Sequence, residues 1–208
     1  HKYIAALLPY LKAEDIDIAY EKKSNLLDDP KIREIITLAE FINDLANGRP
    51  TSHRLLEILA FPFFEINPIV AIKAIKNSRD AIKNPLDYLL ESKNDKLQPL
   101  AVWLARLTTI SFEAPLELWL DYVIGMRILD DFRSPYLEYY RKQGDDSAEF
   151  EFYENLNALR STVINHTKNT QPKLADFVAM INDYRAAGAS IMSNSPYRDS
   201  AHSVQVMS

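Results

Sequence analysis

Apolar residues recur every three to four positions along almost the whole chain, the period of helices that bury one face. A first helix is expected over about 3–13, carrying Tyr3, Ile4, Leu7, Leu8 and Leu11. Ile16, Asp17, Ile18, Ala19 and Tyr20 then alternate apolar and polar, the period of a short strand. Asp29 with Pro30 is the cap and first turn of a second helix, whose Ile32, Ile35, Ile36, Leu38, Ala39 and Ile42 run toward a stop near Gly48. Thr51 or Ser52 caps the next, with Leu55, Leu56, Ile58 and Leu59 inward.

Residues 61–68 read Phe-Pro-Phe-Phe-Glu-Ile-Asn-Pro, a rigid apolar turn in which Asn67 caps a helix that starts at Pro68. Further helices are expected from about Pro85, Pro99 and Pro115. Ser134 and Pro135 open a segment holding Tyr136, Tyr139 and Tyr140. Residues 143–147 form a polar turn. Long helices over about 147–168 and 172–187 complete the body, a polar linker covers 194–200, and Val204, Gln205 and Val206 alternate as a closing strand. No repeat of fixed period is evident, which counts against a solenoid. The expectation is an all-α body with a short strand near each end. A lone strand leaves backbone groups unpaired, and the chain opens on His1 directly into an apolar stretch. Both ends are therefore expected to be those of a piece cut from a larger protein.

Composition narrows the function classes. The chain has 208 residues, 47% hydrophobic and 25% charged, enough for a substantial core. No apolar run approaches the roughly 20 residues that span a bilayer. Absence of cysteine excludes disulfides and thiolate zinc sites and fits a reducing cytoplasm. A net charge of −5 argues against a wholly basic nucleic-acid-binding surface and leaves room for a local patch. The 4 glycines, Gly48, Gly125, Gly144 and Gly188, are too far apart to build a phosphate-cradling loop.

Candidate chemistry is correspondingly sparse. Asp130 and Asp131 lack the third acid of a D-D-x-x-D metal motif, and His1, His53, His166 and His202 lack ligand spacing. Trp103 and Trp119 lie among leucines as core residues. Phe61, Phe63 and Phe64 would offer a stacking platform for bases if exposed, and pack into the core otherwise. The same alternatives hold for the tyrosine segment with Arg141 and Lys142. Lys73, Lys76, Arg79 and Lys83, spaced three, three and four apart, share roughly one helix face, with Ile72, Ile75 and Ile82 on another. Such a stripe neutralises phosphates or is simply solvated. His53 and Arg54, at the start of the preceding helix, are candidates to join it.

Several segments, in order, resemble the UvrD/Rep-type superfamily 1 DNA helicases. In that family a RecA-like domain (2A) is interrupted by a helical insertion (2B), and the chain returns through a strand of the form V-Q-L-M-T just before the motif H-x-x-K-G-L-E. Val204, Gln205, Val206, Met207 and Ser208 resemble that strand. Asp15 to Tyr20 is similar to the family's "gIPy" strand, and the stretch from Leu26 to Glu34 to the loop and helix that follow it. Leu59, Ala60, Phe61 and Pro62 resemble the approach to the 2B duplex-binding turn. There the family has Gly-Ile-Gly, whereas Glu65, Ile66 and Asn67 stand here, a departure compatible with the RecB/AddA-like branch, where 2B can serve more as a partner surface.

The resemblance implies residues 1–48 as the first part of 2A, 49–200 as a 2B-type domain and 201–208 as the return into 2A. Hinges would fall near 47–50 and 194–200. It implies a parent that couples ATP hydrolysis, with Mg²⁺, to 3′-to-5′ movement on DNA in repair or recombination. The piece itself would hold no ATP, metal or catalytic residue. Its partners would be DNA, through Lys73, Lys76, Arg79 and Lys83 with His53 and Arg54, the remaining helicase domains, and a possible protein partner; no membrane is implied. The other reading is a non-enzymatic all-α protein-interaction domain.

Overall fold

The computed structural model describes residues 25–49, 51–81, 83–143 and 146–193, together with 18–19 and 204–205; for 18–19, 146–148 and 204–205 it describes backbone alone. Nine α-helices fall among the described residues: α1 (Pro30–Ala46), α2 (Ser52–Leu59), α3 (Pro68–Asp80), α4 (Pro85–Leu90), α5 (Leu97–Ser111), α6 (Leu116–Ile124), α7 (Tyr136–Gln143), α8 (Asp146–Thr167) and α9 (Leu174–Ala186). The fold is mostly helical, as the periodicity predicts. None of these helices is long and apolar enough to cross a membrane. The helix expected over 3–13 and the linker over 194–200 lie outside the described residues.

Local chemistry sets the helix starts. The Asp29 carboxylate accepts from the Lys31 and Ile32 amides at 2.8 and 3.1 Å, satisfying two donors that α1 leaves open. Asn67 does the same for Ile69 at 2.9 Å, and Asn84 for Leu86 at 3.0 Å. Thr51 stands at the N-cap of α2 but makes no side-chain cap; it is buried and accepts from Leu55 through its carbonyl. Pro99 lies inside the first turn of α5, which starts at Leu97, and Pro115 is the N-cap of α6. Both positions are ones where a missing N–H leaves no hydrogen bond unmade.

The core is organised around α1. Ile32, Ile35, Ile36, Leu38, Ala39, Phe41 and Ile42 are all buried, covering well over half its circumference, so it needs neighbours on several sides. It packs against α2, α5, α8 and α9. Trp103 of α5 and Trp119 of α6 are fully buried in the same continuous core, as expected. α1, assigned from sequence to a first segment ending at 48, thus shares one core with the helices that follow it.

The chain enters and leaves this body at one place. The Leu26 amide donates to the Ile191 carbonyl at 2.7 Å, and Asn25 bridges Met192 in antiparallel fashion. The Asn25 Oδ1 accepts from both Leu27 and Ile191 amides, at 3.2 and 3.1 Å. Farther out, the backbone of Ile18–Ala19 pairs in parallel with Val204–Gln205.

The loop over 125–135 has no periodic signature, yet it is tightly built. Gly125 ends α6 at φ +83°, and a Cβ there would lie 2.1 Å from the Ser134 carbonyl oxygen. Arg133 Nε donates to the Gly125 carbonyl at 2.8 Å, and Leu129 and Phe132 exchange backbone bonds. Gly125→Ala is therefore expected to lower stability by about 2 kcal/mol or more, since a left-handed conformation and a backbone clash add. Urea denaturation of the variant measures this; an unchanged midpoint would show that the approach to Ser134 is not a constraint.

Candidate nucleic-acid interface

α3 follows the Phe-rich turn and packs against α2 and α4. Its inward face is made of small residues and one large one: Ala71, Ala74, Ile75 and Ser78 are buried. The Ser78 hydroxyl donates back to the Ile75 carbonyl at 2.7 Å, which leaves no polar atom stranded under the helix. Helical geometry then puts Ile69, Ile72, Lys73, Lys76 and Arg79 within an arc of about 120° on the opposite side. All five are exposed.

The spacing predicts Ile72 and Ile75 on one face apart from the cations, and the structure corrects this. Ile75 is buried, whereas Ile72, 56% exposed, shares the arc of Lys76 and Arg79, as does Ile69, 62% exposed. The small residues Ala71, Ala74 and Ser78 define the buried stripe, and their phase was the available signal. Ile82 lies outside the described residues.

The six basic candidates separate by their partners. Lys73, Lys76 and Arg79 make no ion pair with any described residue, so their charge is free to meet an anion. Asp80, on the same arc, closes the stripe at the C-terminal end of α3. Lys83 pairs with Glu91 just beyond α4. Arg54 is committed to α1: it pairs with Asp44 and, at 3.3 Å, with Glu40. Arg49 joins Asp44 at 3.4 Å and Arg185 joins Glu40, so the four-residue spacing of two acids on α1 gathers cations from α2, α9 and the turn after α1. His53 is exposed at the start of α2.

The turn before α3 is a packed aromatic cluster. Phe61, Phe63 and Phe64 are buried, with Phe63 edge-on to Tyr136 at a centroid distance of 5.0 Å and Phe64 to Trp103 at 6.1 Å. They serve the core and present no platform to bases. Glu65 ends the turn in the left-handed region at φ +50°, a conformation that glycine adopts freely and glutamate does not. Lys96 holds it there, donating to the Glu65 carbonyl at 3.1 Å and its carboxylate at 3.2 Å. A groove of about 400 Å³ lies beside this pair, with Phe63, Leu100 and Tyr139 among its walls.

Tyr136 and Tyr140 reach from α7 to the first turns of α1. Tyr136 donates to the Lys31 carbonyl at 2.8 Å and Tyr140 to the Glu34 carboxylate at 2.7 Å. Lys31 Nζ lies 5.0 Å from the Tyr140 ring centroid. Burial pushes the Glu34 carboxyl up to about 7, and nearby Asp29 adds to it, against the hydrogen bond from Tyr140. Burial also pushes both tyrosine hydroxyls up.

No triad of metal-ligating acids or histidines occurs among the described residues. Asp130 instead accepts from Arg106 Nε at 2.7 Å, and His166 faces Asp183 at 3.2 Å. No protein-family model matches the chain. No curated protein matches it either.

The Glu34 geometry sets a pH dependence. A carboxyl whose folded value is raised binds its proton more tightly in the native state, so its contribution is complete below about pH 4.5 and is lost as pH rises toward 7. Glu34→Gln keeps an acceptor for Tyr140 and carries no charge. It is expected to match the parent chain at pH 4.5 and exceed it by about 1 kcal/mol at pH 8, a figure reduced for solvent screening of a partly exposed group. Urea midpoints at the two pH values measure it, and equal differences at both would show that Glu34 titrates normally.

Proposed function

We propose that this chain is a 2B-type regulatory domain of a UvrD/Rep-like DNA helicase and that it engages duplex DNA through α3. One observation carries the reading: Lys73, Lys76 and Arg79 form an exposed row of unpaired cations on the helix that directly follows the Phe-rich turn. Leu59 to Pro62, which lead into that turn, resemble the approach to the family's duplex-binding turn, whereas Glu65, Ile66 and Asn67 depart from it. In this reading the parent is a cytoplasmic enzyme that couples ATP hydrolysis, with Mg²⁺, to 3′-to-5′ movement on DNA. The nucleotide-binding loop and the metal site then belong to the rest of the parent, and the present chain regulates by its position. In this reading the front hinge moves from 47–50 to the entry at Asn25, because α1 shares one core with α2, α5, α8 and α9, and the body turns about the connections that lie side by side at Asn25 and Met192.

Binding of this kind is electrostatic and salt-dependent, because each neutralised phosphate releases condensed counterions. The 208-residue chain is expected to bind a duplex carrying a 3′ single-stranded tail with an affinity that falls steeply between low and physiological salt. Changing Lys73, Lys76 and Arg79 together to Glu should abolish measurable binding. Changing them to Gln should flatten the log–log salt dependence by roughly 0.9 for each phosphate no longer neutralised, on the order of 2 to 3 in total. Lys83→Gln should alter it little, since Glu91 already neutralises Lys83. Fluorescence anisotropy across a salt series decides the matter; equal binding by the parent chain and the Glu variant would refute the role of α3.

A further inference from the structure

The groove of about 400 Å³ beside Glu65 and Lys96 is separate from the cationic row, since no residue of α3 lines it. Its apolar walls are fixed by the core. Phe63 and Phe64, from the turn, meet at 4.5 Å between ring centroids, and half-buried Phe132 lies 5.2 Å from buried Trp103. Tyr139 of α7, also half-buried, lies 6.4 Å from Phe63, and buried Leu100 of α5 completes the lining. Four separate stretches of chain build these walls, and packing holds each of them. The groove is thus formed before anything enters it, at a volume typical of binding clefts.

The rim carries six exposed charges, and their order can be traced. Lys96 pairs with Glu65 at 3.2 Å, and Lys142 with Glu138 at 2.8 Å. The two pairs are neighbours. Glu138 raises the Lys142 ammonium above its ordinary value, with a smaller contribution from Glu65. Lys142 in turn holds the Glu138 carboxyl down, with a smaller contribution from Arg133. Asp95 directly precedes Lys96. The rim therefore runs Arg133, Glu138, Lys142, Glu65, Lys96, Asp95, alternating in sign. The four inner charges neutralise one another, and the two outer ones do not. The Asp95 carboxylate has no partner among the described residues. Arg133 spends its Nε on the Gly125 carbonyl at 2.8 Å, and its terminal nitrogens meet no described residue.

Such a rim gives no advantage to a polyanion: phosphates drawn to Arg133 and Lys142 would meet Glu138, Glu65 and Asp95 as well. It complements a guest that is apolar in the middle, with an acid at one end and a base at the other. Four charged side chains lie between the two free ends, a greater separation than the amine and carboxylate of one amino acid span. We infer that this groove docks an extended segment of a partner protein, with a large apolar side chain against Phe63, Leu100 and Tyr139, an acid meeting Arg133 and a base meeting Asp95. Burial against rigid aromatic walls supplies the affinity, and the two outer charges set the orientation. The groove gives the chain a second surface, for a partner class other than DNA, and does not rest on the reading of α3.

The test uses the full 208-residue chain and acetylated, amidated tetrapeptides with Leu-Trp at the centre. One carries Glu and Lys at its ends and is made in both orders, because a strand can lie in either direction; the others carry Glu twice or Lys twice. Binding is followed by ¹H–¹⁵N NMR titration. The mixed peptide, in one of its orders, is expected to bind about fivefold more tightly than either like-charged one, the scale of one or two rim ion pairs. The largest shifts should fall at Leu100, Phe132 and Tyr139. Asp95→Lys should move the preference to the doubly acidic peptide. Asp95 is exposed and unpaired, so the variant should fold, and unchanged spectra away from the groove confirm it. No binding of any peptide, equal binding of all of them, or a preference unmoved in the folded variant overturns the inference. A duplex oligonucleotide that shifts the same groove residues also overturns it, and makes the groove a nucleic-acid surface. Failure of α3 to bind DNA leaves the groove inference standing.

Discussion

The rest of the structure depends on the burial of α1 on most of its sides. A helix with seven buried side chains cannot be satisfied by one neighbour, and α2, α5, α8 and α9 are drawn around it. The acids it carries then lie at the rim of the core, where an unpaired charge is costly. Each has a partner. Glu34 takes the Tyr140 hydroxyl, and Glu40 and Asp44 take Arg54, Arg49 and Arg185. Exposed ion pairs contribute little, but these two acids keep only 12% and 14% of their side-chain exposure, and they join three separate parts of the chain. Arg54 is thereby removed from any ligand surface by the requirements of the core.

α3 obeys the opposite rule. It is buried on one narrow stripe made mostly of small residues, with Val70 packed at its edge, and the arc opposite is free of packing demands. Small inward residues let it lie close to its neighbours α2 and α4, and they also mean that large side chains on this helix point mostly outward. That is why a helix with four apolar branched residues, Ile69, Val70, Ile72 and Ile75, fully buries only the last. The surface chemistry of α3 follows from its packing.

The contrast explains what was legible in the sequence. Helix existence, the caps at Asp29 and Asn67, and the burial of the tryptophans follow from local patterns, and each is present. Pairings such as Tyr140 with Glu34, separated by 106 positions, and Arg185 with Glu40, separated by 145, obey no local period. The basic stripe was readable as a spacing; its division into free and committed cations was not, because Glu91, Glu40 and Asp44 are brought to Lys83 and Arg54 by tertiary packing. The loop over 125–135 was opaque for the same reason: the demand for glycine at 125 comes from Ser134, nine residues away.

The turn before α3 shows how a site can shift while its backbone persists. Glu65 keeps a left-handed conformation that costs a non-glycine residue about 1 kcal/mol, and Lys96 offsets this by binding its carbonyl and carboxylate together. A glycine there would let backbone amides approach a phosphate closely. With glutamate in place, the spot is taken by a side chain already paired with Lys96, which leaves a phosphate less room to approach the backbone. In the proposed reading the anion contact therefore moves from the turn to the side chains of α3. Long, flexible cations reach farther than backbone amides and fix geometry less well, so positioning must come from another source. On this arc the exposed Ile69 and Ile72 cannot bind an anion, so the grip on a phosphate backbone rests on Lys73, Lys76 and Arg79 alone.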